Sequence, residues 1–270
     1  MPPEFRLAVV GDPISHSRSP AIHNAALAAL GMDGHYEARR IRGPEMEGVM
    51  AELRRGDLSG INVTMPLKGV AAALVDELTD DARRSGSVNT VVRRPDGTLV
   101  GHSTDVSAMR RLWPAPRPGP VLVLGAGGAA AAACLAARGR ALYVSARRPG
   151  PVAALSDRLG MDLVEVPWSA AVVDATVVNA TPLGMQGEGL PSRVVPLASS
   201  LVDLAYGEGP TPAVAEARRL QMPTVDGVEF LVAQAADSFR LWTGREAPAG
   251  AMMQAVRNHS SRDHRWPNHS

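Results

Sequence analysis

A single lysine stands out among the residues of this sequence that could transfer a proton. The 270 residues include 28 lysines and arginines, and Lys68 is the one lysine among them. Arginine does not release a proton in a protein, whereas lysine can, and the pKa of lysine shifts readily on burial. We therefore expect Lys68 to transfer a proton, the alternative being a lysine that remains by chance on a solvated face.

Short polar stretches lie on both sides of this lysine in the first half of the chain. They supply hydroxyl, amide and carboxylate groups from Ser15, Ser17, Asn62, Thr64, Asn89 and Asp105. Taken separately, each stretch is typical of turns and helix caps. Taken together, they match the needs of a polyhydroxylated carboxylic acid, with hydroxyl donors for its carboxylate and amide and carboxylate partners for its alcohols. This combination indicates a site for such an acid.

A glycine-rich turn is the second feature of the sequence that could have a chemical role. The apolar run 121–124 leads into Gly125-Ala126-Gly127-Gly128-Ala129-Ala130, and an alanine-rich helical pattern follows. In such a strand–turn–helix unit the first glycine permits the tight turn, the second lets the backbone approach a pyrophosphate, and the helix start faces its charge. The pattern predicts dinucleotide binding, and a glycine-rich helix start chosen for close packing is the alternative.

The type of dinucleotide is indicated by the end of the next predicted strand. Proteins that bind NAD place an acidic residue there, about twenty residues after the glycines, to bind the ribose hydroxyl. This chain has Ser145, Ala146, Arg147 and Arg148 instead. Guanidinium groups bind a 2′-phosphate in a bidentate manner, so we expect NADP, unless these are two solvated arginines at a strand end.

Alternating short strands and helices predict an α/β fold with two domains. The proline-rich segment 113–120 marks a boundary. We expect an α/β substrate-binding domain over residues 1–106 and a Rossmann-type domain over residues 107–228. A helical pattern covers residues 228–241, and the polar segment 258–270 lacks periodicity, so we expect a mobile end there.

Composition and charge exclude several classes of partner. The net charge is +1 and 45% of the residues are hydrophobic, which leaves no excess charge for nucleic acid or a membrane surface. No apolar run approaches the roughly 18 to 20 residues that a membrane span needs, and no signal peptide is evident. We expect a cytoplasmic protein without a metal site, in which the lone Cys134 has a packing role.

Six motifs in order resemble those of the shikimate dehydrogenase family, which interconverts 3-dehydroshikimate and shikimate with NADP. They are GDPISHSRSP, NVTMPLK, VNT followed by STD, GAGGAA, NATPLGM and VAQA, and the resemblance covers roughly residues 5 to 250. It implies an oxidoreductase of aromatic amino acid and chorismate biosynthesis, active as a monomer or homodimer. It also implies that helices of residues 229–270 return to the first domain and complete it.

The resemblance also implies a role for each matching residue. Lys68 and Asp105 would form the catalytic pair, and Ser15 and Ser17 would hold the substrate carboxylate. Ring hydroxyls would meet Asn62, Thr64, Asn89, Asp105 and Gln234, with Tyr206 closing over the carboxylate side. The pyrophosphate would bind at Gly125, Ala126, Gly127, Gly128 and Ala129, the adenosine phosphate at Ala146, Arg147 and Arg148, and the nicotinamide side at Thr181, Met185 and Gly227.

Departures from the family pattern leave alternatives open. Ser103 and Val106 replace an asparagine and a glycine beside Asp105, and Phe230 stands where a methionine is usual. These changes are compatible with a dehydrogenase of a related ring acid, such as quinate or aminoshikimate, or with a sensor that binds NADP and shikimate without catalysis. The folate-linked dehydrogenase branch is a further alternative, but the paired serines and Gln234 have no evident use there.

Overall fold

The structure, a computed structural model, describes residues 4–15, 17–114, 119–148 and 150–262, the last four of these by their backbone. The chain divides into two compact units. The first comprises Met1–Arg83, Ser87–Thr104 and Val232–Ser270, and the second comprises Arg84–Gly86 and Asp105–Leu231. Each unit therefore combines segments that are distant in sequence. The functional assignment of the expected domains stays a prediction at this point.

The first unit contains a mixed six-stranded sheet. Its strands are β1 (Phe5–Gly11), β2 (Gly34–Arg40), β3 (Gly60–Val63), β4 (Glu77–Leu78), β5 (Thr90–Arg93) and β6 (Leu99–His102), in the order β2-β1-β3-β5-β6-β4. β1 runs parallel to β2 and β3, and β5 runs antiparallel to β3 and β6. The carboxyl ends of β1, β3 and β6 and the amino end of β5 therefore meet at one edge of the sheet.

Apolar burial explains why these segments form strands and helices. All four residues of β3 are buried, and Ile61 packs in a cluster with Met50 and Leu53 of the neighbouring helix. That helix ends where Gly56 adopts a left-handed conformation with φ of 82°, which glycine does without steric cost. Ten-residue helices with one apolar face can cover a sheet in this way.

The second unit is an entirely parallel sheet. Its strands are β7 (Val121–Leu124), β8 (Leu142–Ser145), β9 (Val164–Glu165), β10 (Thr176–Asn179), β11 (Ser200–Asp203) and β12 (Thr224–Val225), in the order β12-β11-β10-β7-β8-β9. Every residue of β7, β10 and β11 is buried, as in a sheet covered on both faces. The order reverses between β7 and β10, which is the topological switch point of a Rossmann sheet. The predicted α/β class with a Rossmann-type unit is confirmed.

Ten α-helices and one 3₁₀ helix occur in the described part of the chain. They are α1 (Ser19–Ala29), the 3₁₀ helix Gly43–Glu45, α2 (Met46–Arg55), α3 (Lys68–Leu74), α4 (Asp80–Ser85), α5 (Thr104–Leu112), α6 (Gly128–Ala136), α7 (Pro151–Leu159), α8 (Pro212–Arg219), α9 (Gly227–Thr243) and α10 (Ala249–Arg262). Within the first unit, α10 packs against α1. None of the described helices combines the length and the apolar character that a bilayer crossing requires.

The end of α10 corrects one expectation. We expected a mobile end without periodic structure from Asn258 onward, but the helix continues to Arg262. Polar residues still favour helix when their neighbours on the preceding turns are already packed, since each further residue adds one hydrogen bond. The remainder of that segment, residues 263–270, lies outside the described residues, as do residues 115–118 of the proline-rich boundary.

Candidate active site

The loops that follow β1 and β3 lie side by side in the first unit. Val10 is paired with Val63 in the parallel register, and Thr64 N–H donates to the Val10 carbonyl at 2.9 Å. One residue further, Asp12 N–H donates to the Met65 carbonyl at 3.2 Å. The two loops that carry the predicted serines and Lys68 are thus joined by backbone hydrogen bonds at the same sheet edge.

The predicted carboxylate-binding serines precede α1. Ser15 is exposed and Ser17 is half-buried, and the Ser17 hydroxyl oxygen accepts from Ser19 N–H at 3.3 Å. The first turn of α1 contains no acidic residue. A helix N-terminus with hydroxyl groups and without a competing carboxylate is suited to an anion.

Lys68 is the first residue of α3, immediately after the loop of β3. Leu67, which precedes it, is buried, and its N–H donates to the Thr64 carbonyl at 2.9 Å. The Lys68 carbonyl accepts from Val88 N–H at 3.1 Å, and the residue as a whole is half-buried. The backbone of the lysine is therefore fixed at both ends, next to the start of β5.

Asn89 connects the start of β5 with two helices. Its Oδ1 accepts from Thr104 N–H at 2.7 Å, and its Nδ2 donates to Thr104 Oγ1 at 2.9 Å. The same Nδ2 lies 3.4 Å from Gln234 Oε1 on α9. Asp105 follows Thr104 in the first turn of α5 and is 5% exposed.

Asn62 makes several hydrogen bonds within the first unit. Its Oδ1 accepts from the Tyr36 hydroxyl at 2.7 Å, and its Nδ2 lies 3.0 Å from the Asn89 carbonyl, from Thr90 Oγ1 and from Ser238 Oγ. The side chain is buried, and both of its polar atoms are engaged by the protein. This amide ties β2, β3, β5 and α9 together, and its expected contact with a ring hydroxyl stays a prediction.

The two departures beside Asp105 occupy different surroundings. Val106 is fully buried and packs against Ala132 and Leu135 of α6, which explains how this position accommodates a larger side chain than glycine. Ser103 is buried too, and its Oγ has no hydrogen-bond partner among the described residues. The loss of the family's asparagine therefore leaves a buried hydroxyl in its place.

In the second unit, the glycine-rich turn adopts the conformation that the pattern predicts. Gly125 has φ of 112°, and a Cβ at this position would lie 2.9 Å from the Ala180 carbonyl oxygen. Gly127 precedes α6 and has open space where a side chain would be. The first turn of α6 contains no acidic residue. The free N–H groups at the start of α6 and the open space at Gly127 fit a pyrophosphate. In the same turn, Ala126 and Ala129 are half-buried and Gly127 is exposed.

The end of β8 fits the adenosine phosphate of NADP. Arg147 and Arg148 are exposed, with the half-buried Ala146 before them. The buried Ser145 Oγ has no hydrogen-bond partner in the part of the chain that the structure describes. Cationic side chains at this position suit a phosphate better than the uncharged ribose hydroxyl of NAD.

The predicted nicotinamide-side residues and the predicted substrate residue Tyr206 follow β10, β11 and β12. Thr181 Oγ1 donates to Asn179 Oδ1 at 2.6 Å, and Met185 in the same loop is 41% exposed. Tyr206 follows β11, and Gly227 begins α9. All of them lie beyond the carboxyl ends of strands on one side of β7, in the region where ligands of Rossmann sheets bind.

Sequence reasoning missed the buried residues that support these loops. Asp203 and Asn179 end β11 and β10 and are fully buried, and His23 is fully buried against Tyr36 with ring centroids 4.3 Å apart. A polar residue directly after an apolar pair in a short strand was the available signal for the first two. For His23 the sequence carries no comparable signal.

Two further observations concern the lone cysteine and the side chains that could bind a metal. Burial raises the pKa of the Cys134 thiol to about 12, so this cysteine stays protonated at neutral pH. Among the described side chains, no three His, Cys, Asp or Glu residues are grouped as a metal site requires.

Comparison with known proteins agrees with this geometry. The family described as shikimate dehydrogenase substrate binding domain matches residues 9–91, and the family described as shikimate 5′-dehydrogenase C-terminal domain matches residues 227–257. A curated shikimate dehydrogenase (NADP(+)) of Thermus thermophilus is 38% identical over 261 residues, covering 94% of this chain and 98% of the relative. That of Rubrobacter xylanophilus is 39% identical over 268 residues, covering 93% and 94%.

A solved structure shows the same relation in three dimensions. Shikimate 5-dehydrogenase from Thermus thermophilus, in complex with NADP(H) and shikimate, has a TM-score of 0.82 and 37% identity, covering 94% of this chain and 99% of that one. The resemblance inferred from the six motifs is thereby confirmed. Because the identity extends over nearly the whole of both chains, this protein belongs to the shikimate dehydrogenase family.

Proposed function

We propose that this protein is an NADP-dependent shikimate dehydrogenase, which reduces 3-dehydroshikimate to shikimate reversibly. The observation that carries the proposal is the gathering of the predicted serines, Thr64, Lys68 and Asn89 at one edge of the sheet in the first unit. Relatives that cover almost the whole chain are named for this activity. The first unit is then the substrate-binding domain and the second is the nucleotide-binding domain.

In this proposal the substrate is held by complementary polar groups. Ser15 and Ser17 donate to its carboxylate, in front of the positive end of the α1 dipole. Thr64, Asn89 and Gln234 bind ring hydroxyls, and Tyr206 covers the carboxylate side. Asn62 supports Asn89 from behind, since its amide group donates to the Asn89 backbone.

Lys68 and Asp105 carry the proton chemistry. During reduction the ketone carbon gains a hydride and its oxygen gains a proton, which the Lys68 ammonium group donates. In the oxidative direction neutral Lys68 removes that proton from the alcohol. Asp105 accepts a hydrogen bond from the neighbouring hydroxyl and orients the lysine.

The second unit holds the cofactor through separate groups for each of its parts. NADP supplies or accepts the hydride when it is bound. Backbone N–H groups from Gly125 to Ala129 bind the pyrophosphate, and Arg147 and Arg148 bind the 2′-phosphate. Thr181, Met185 and Gly227 line the nicotinamide side. We further propose that the enzyme acts in the cytoplasm, as a monomer or homodimer.

The decisive experiment is NADPH formation by the purified protein with shikimate, followed by absorbance. Quinate and aminoshikimate at matched concentrations, and NAD in place of NADP, are the comparison arms. We expect kcat/KM to be highest with shikimate and NADP, by about tenfold or more over each alternative. The reason is that a wrong substrate or cofactor leaves polar groups of the site without a hydrogen-bond partner.

Each alternative predicts its own outcome. A higher kcat/KM with quinate or aminoshikimate would identify the enzyme as a dehydrogenase of that ring acid. NADPH binding without turnover of any of the three acids would identify a sensor. The departures at Ser103 and Val106 are the reason to include both arms.

A further inference from the structure

The strongest further candidate is a buried carboxylate at the end of β11. Asp203 is fully buried, and in the parallel register it is paired with Asn179, the last residue of β10. The proposed function assigns it no role. A buried carboxylate is expensive unless its oxygens are hydrogen-bonded, so its contacts indicate what the fold uses it for.

Asp203 holds two loops through three donors. Its Oδ1 accepts from Asn179 Nδ2 at 2.7 Å and from Ala205 N–H at 3.0 Å. Its Oδ2 accepts from the Thr211 hydroxyl. Burial raises the pKa of Asp203, and the three donors act in the opposite direction by favouring its ionised form.

Asn179 extends this arrangement into the loop after β10. Its Nδ2 also donates to the Leu183 carbonyl at 2.9 Å, and its Oδ1 accepts from Thr181 N–H at 3.1 Å. The Thr181 hydroxyl in turn accepts from Leu183 N–H at 3.2 Å. The backbone of this loop is therefore fixed by an amide whose own orientation depends on Asp203.

The other carboxylate oxygen of Asp203, Oδ2, holds the loop after β11 through Thr211. Thr211 is the N-cap of α8, and its Oγ1 accepts from Val214 N–H at 3.2 Å. The two loops also touch, since a Cβ on Gly184 would lie 2.9 Å from Thr211 Cβ. One carboxylate thus sets the relative positions of the loops that contain Thr181, Met185 and Tyr206.

We propose that Asp203 is a positioning residue for the nicotinamide end of the NADP site, acting through Thr181 and Met185 without touching the cofactor. The inference rests on the proposed function, which places those two residues on the nicotinamide side. The adenosine end is held at β7 and β8, on the other side of the switch point. Loss of Asp203 should therefore weaken binding of the nicotinamide end of the cofactor and leave binding of the adenosine end unchanged.

The experiment compares two ligands by isothermal titration calorimetry. NADPH occupies both ends of the site, whereas 2′,5′-ADP contains the adenosine phosphates alone. For Asp203→Ala we expect the Kd of NADPH to rise about fivefold to tenfold, with less than a twofold change for 2′,5′-ADP. Asp203→Asn should keep the Kd of NADPH within about threefold of the wild type, because its carbonyl still accepts and its amide can donate to Thr211.

Ser200→Ala is the matched structural control. Ser200 and Thr176 are the pair at the opposite ends of the same two strands, and their hydroxyls are hydrogen-bonded at 3.0 Å. This substitution also removes one buried hydrogen bond between β10 and β11, but far from the loops. We expect a lower unfolding temperature and an unchanged Kd for both ligands.

The outcomes separate this inference from the proposed function. Equal changes in both Kd values for Asp203→Ala, or no change in either, would overturn the positioning role. If Asp203→Ala does not fold, Thr211→Val is the substitute, because it removes one donor to the carboxylate. It should also raise the Kd of NADPH more than that of 2′,5′-ADP, but by a smaller factor than Asp203→Ala. A wild-type protein that binds neither ligand would instead refute the proposed NADP dependence.

Discussion

Lys68 combines a fixed backbone with a side chain that can release a proton. Lys68→Ala should lower kcat for shikimate oxidation about 10²-fold or more, with a smaller effect on the Kd of NADPH, because proton transfer is lost and cofactor binding is not. Lys68→Arg should be nearly as slow, since the guanidinium group retains the charge but not the proton chemistry. Steady-state kinetics with calorimetric binding would check both variants.

The arginine variant makes this prediction specific. Wild-type kcat in Lys68→Arg would show that positive charge alone is required. An unchanged kcat in Lys68→Ala would remove the lysine from the chemistry altogether.

Arg147 is tested by the choice between the two nicotinamide cofactors. Arg147→Ala should raise the KM for NADP about tenfold and that for NAD by less than twofold, because NAD lacks the phosphate that a guanidinium group binds. Arg219→Ala, which removes an exposed arginine of α8 in the same unit, is the control for loss of surface charge. Equal increases for the two cofactors would place the 2′-phosphate elsewhere.

His23 makes the stability of the first unit depend on pH. Burial lowers the pKa of its imidazole from 6.5 to about 3, so the native chain leaves it neutral where the unfolded chain protonates it. The free energy of unfolding should therefore decrease as the pH falls from about 6.5 towards 3. His23 alone should lower it by about 2 kcal/mol between pH 7 and pH 5.

Two substitutions isolate that contribution in urea unfolding experiments. His23→Phe keeps a ring against Tyr36 and should reduce the loss of stability between pH 7 and pH 5. His35→Gln, at an exposed position of β2, should leave it as in the wild type. The same pH dependence in His23→Phe and the wild type would show that other groups cause it.

At the scale of elements, the buried amide of Asn62 joins four of them. Asn62→Ala should lower the free energy of unfolding by about 3 kcal/mol, because the Tyr36 hydroxyl loses its buried acceptor and a hydroxyl-lined cavity remains. It should also raise the KM for shikimate through displacement of Asn89. Ser59→Ala, which removes a hydrogen bond to the Arg6 backbone at the unit's periphery, should cost less than about 1 kcal/mol and leave the KM unchanged.

The elements that the sequence predicts well are those with continuous apolar runs. β7 has the bounds of the apolar run 121–124, and α9 begins at Gly227, one residue before the helical pattern of residues 228–241. β4 was missed because it has two residues, one of them charged, and its strand conformation depends on pairing with β6. Such a strand is stabilised by its neighbour and not by its own composition.

Some site residues could be predicted from the sequence and others could not. Lys68, Thr64 and the glycine-rich turn could be predicted because their types and order in the chain indicate chemistry directly. The supporting residues could not, since their role depends on which side chains the fold brings together. Asn62 illustrates this, because an amide beside a catalytic motif looks like a ligand contact until its buried partners are known.

At the scale of the whole molecule, cofactor binding should stabilise the folded chain. At a free NADP concentration of 100 times its Kd, linkage contributes about 2.7 kcal/mol, which corresponds to a rise in Tm of roughly 5 °C for a chain of this size. NAD at the same concentration should give a much smaller rise. Thermal unfolding followed by circular dichroism would check this, with Arg147→Ala as the variant that should lose the preference.

Equal shifts in Tm for the two cofactors would contradict a site selective for the 2′-phosphate. The comparison is made on one protein at one concentration, so differences in the unfolded state cancel.

A half-buried lysine at the first turn of α3 has a practical consequence in a chain with no other lysine side chain. Reductive methylation with carbon-13 formaldehyde would place labelled methyl groups on a single lysine ε-nitrogen, and their resonance needs no assignment among other side-chain signals. Recording that resonance in the apo protein, and again with the ring acid added, would show whether the ring acid binds beside this nitrogen.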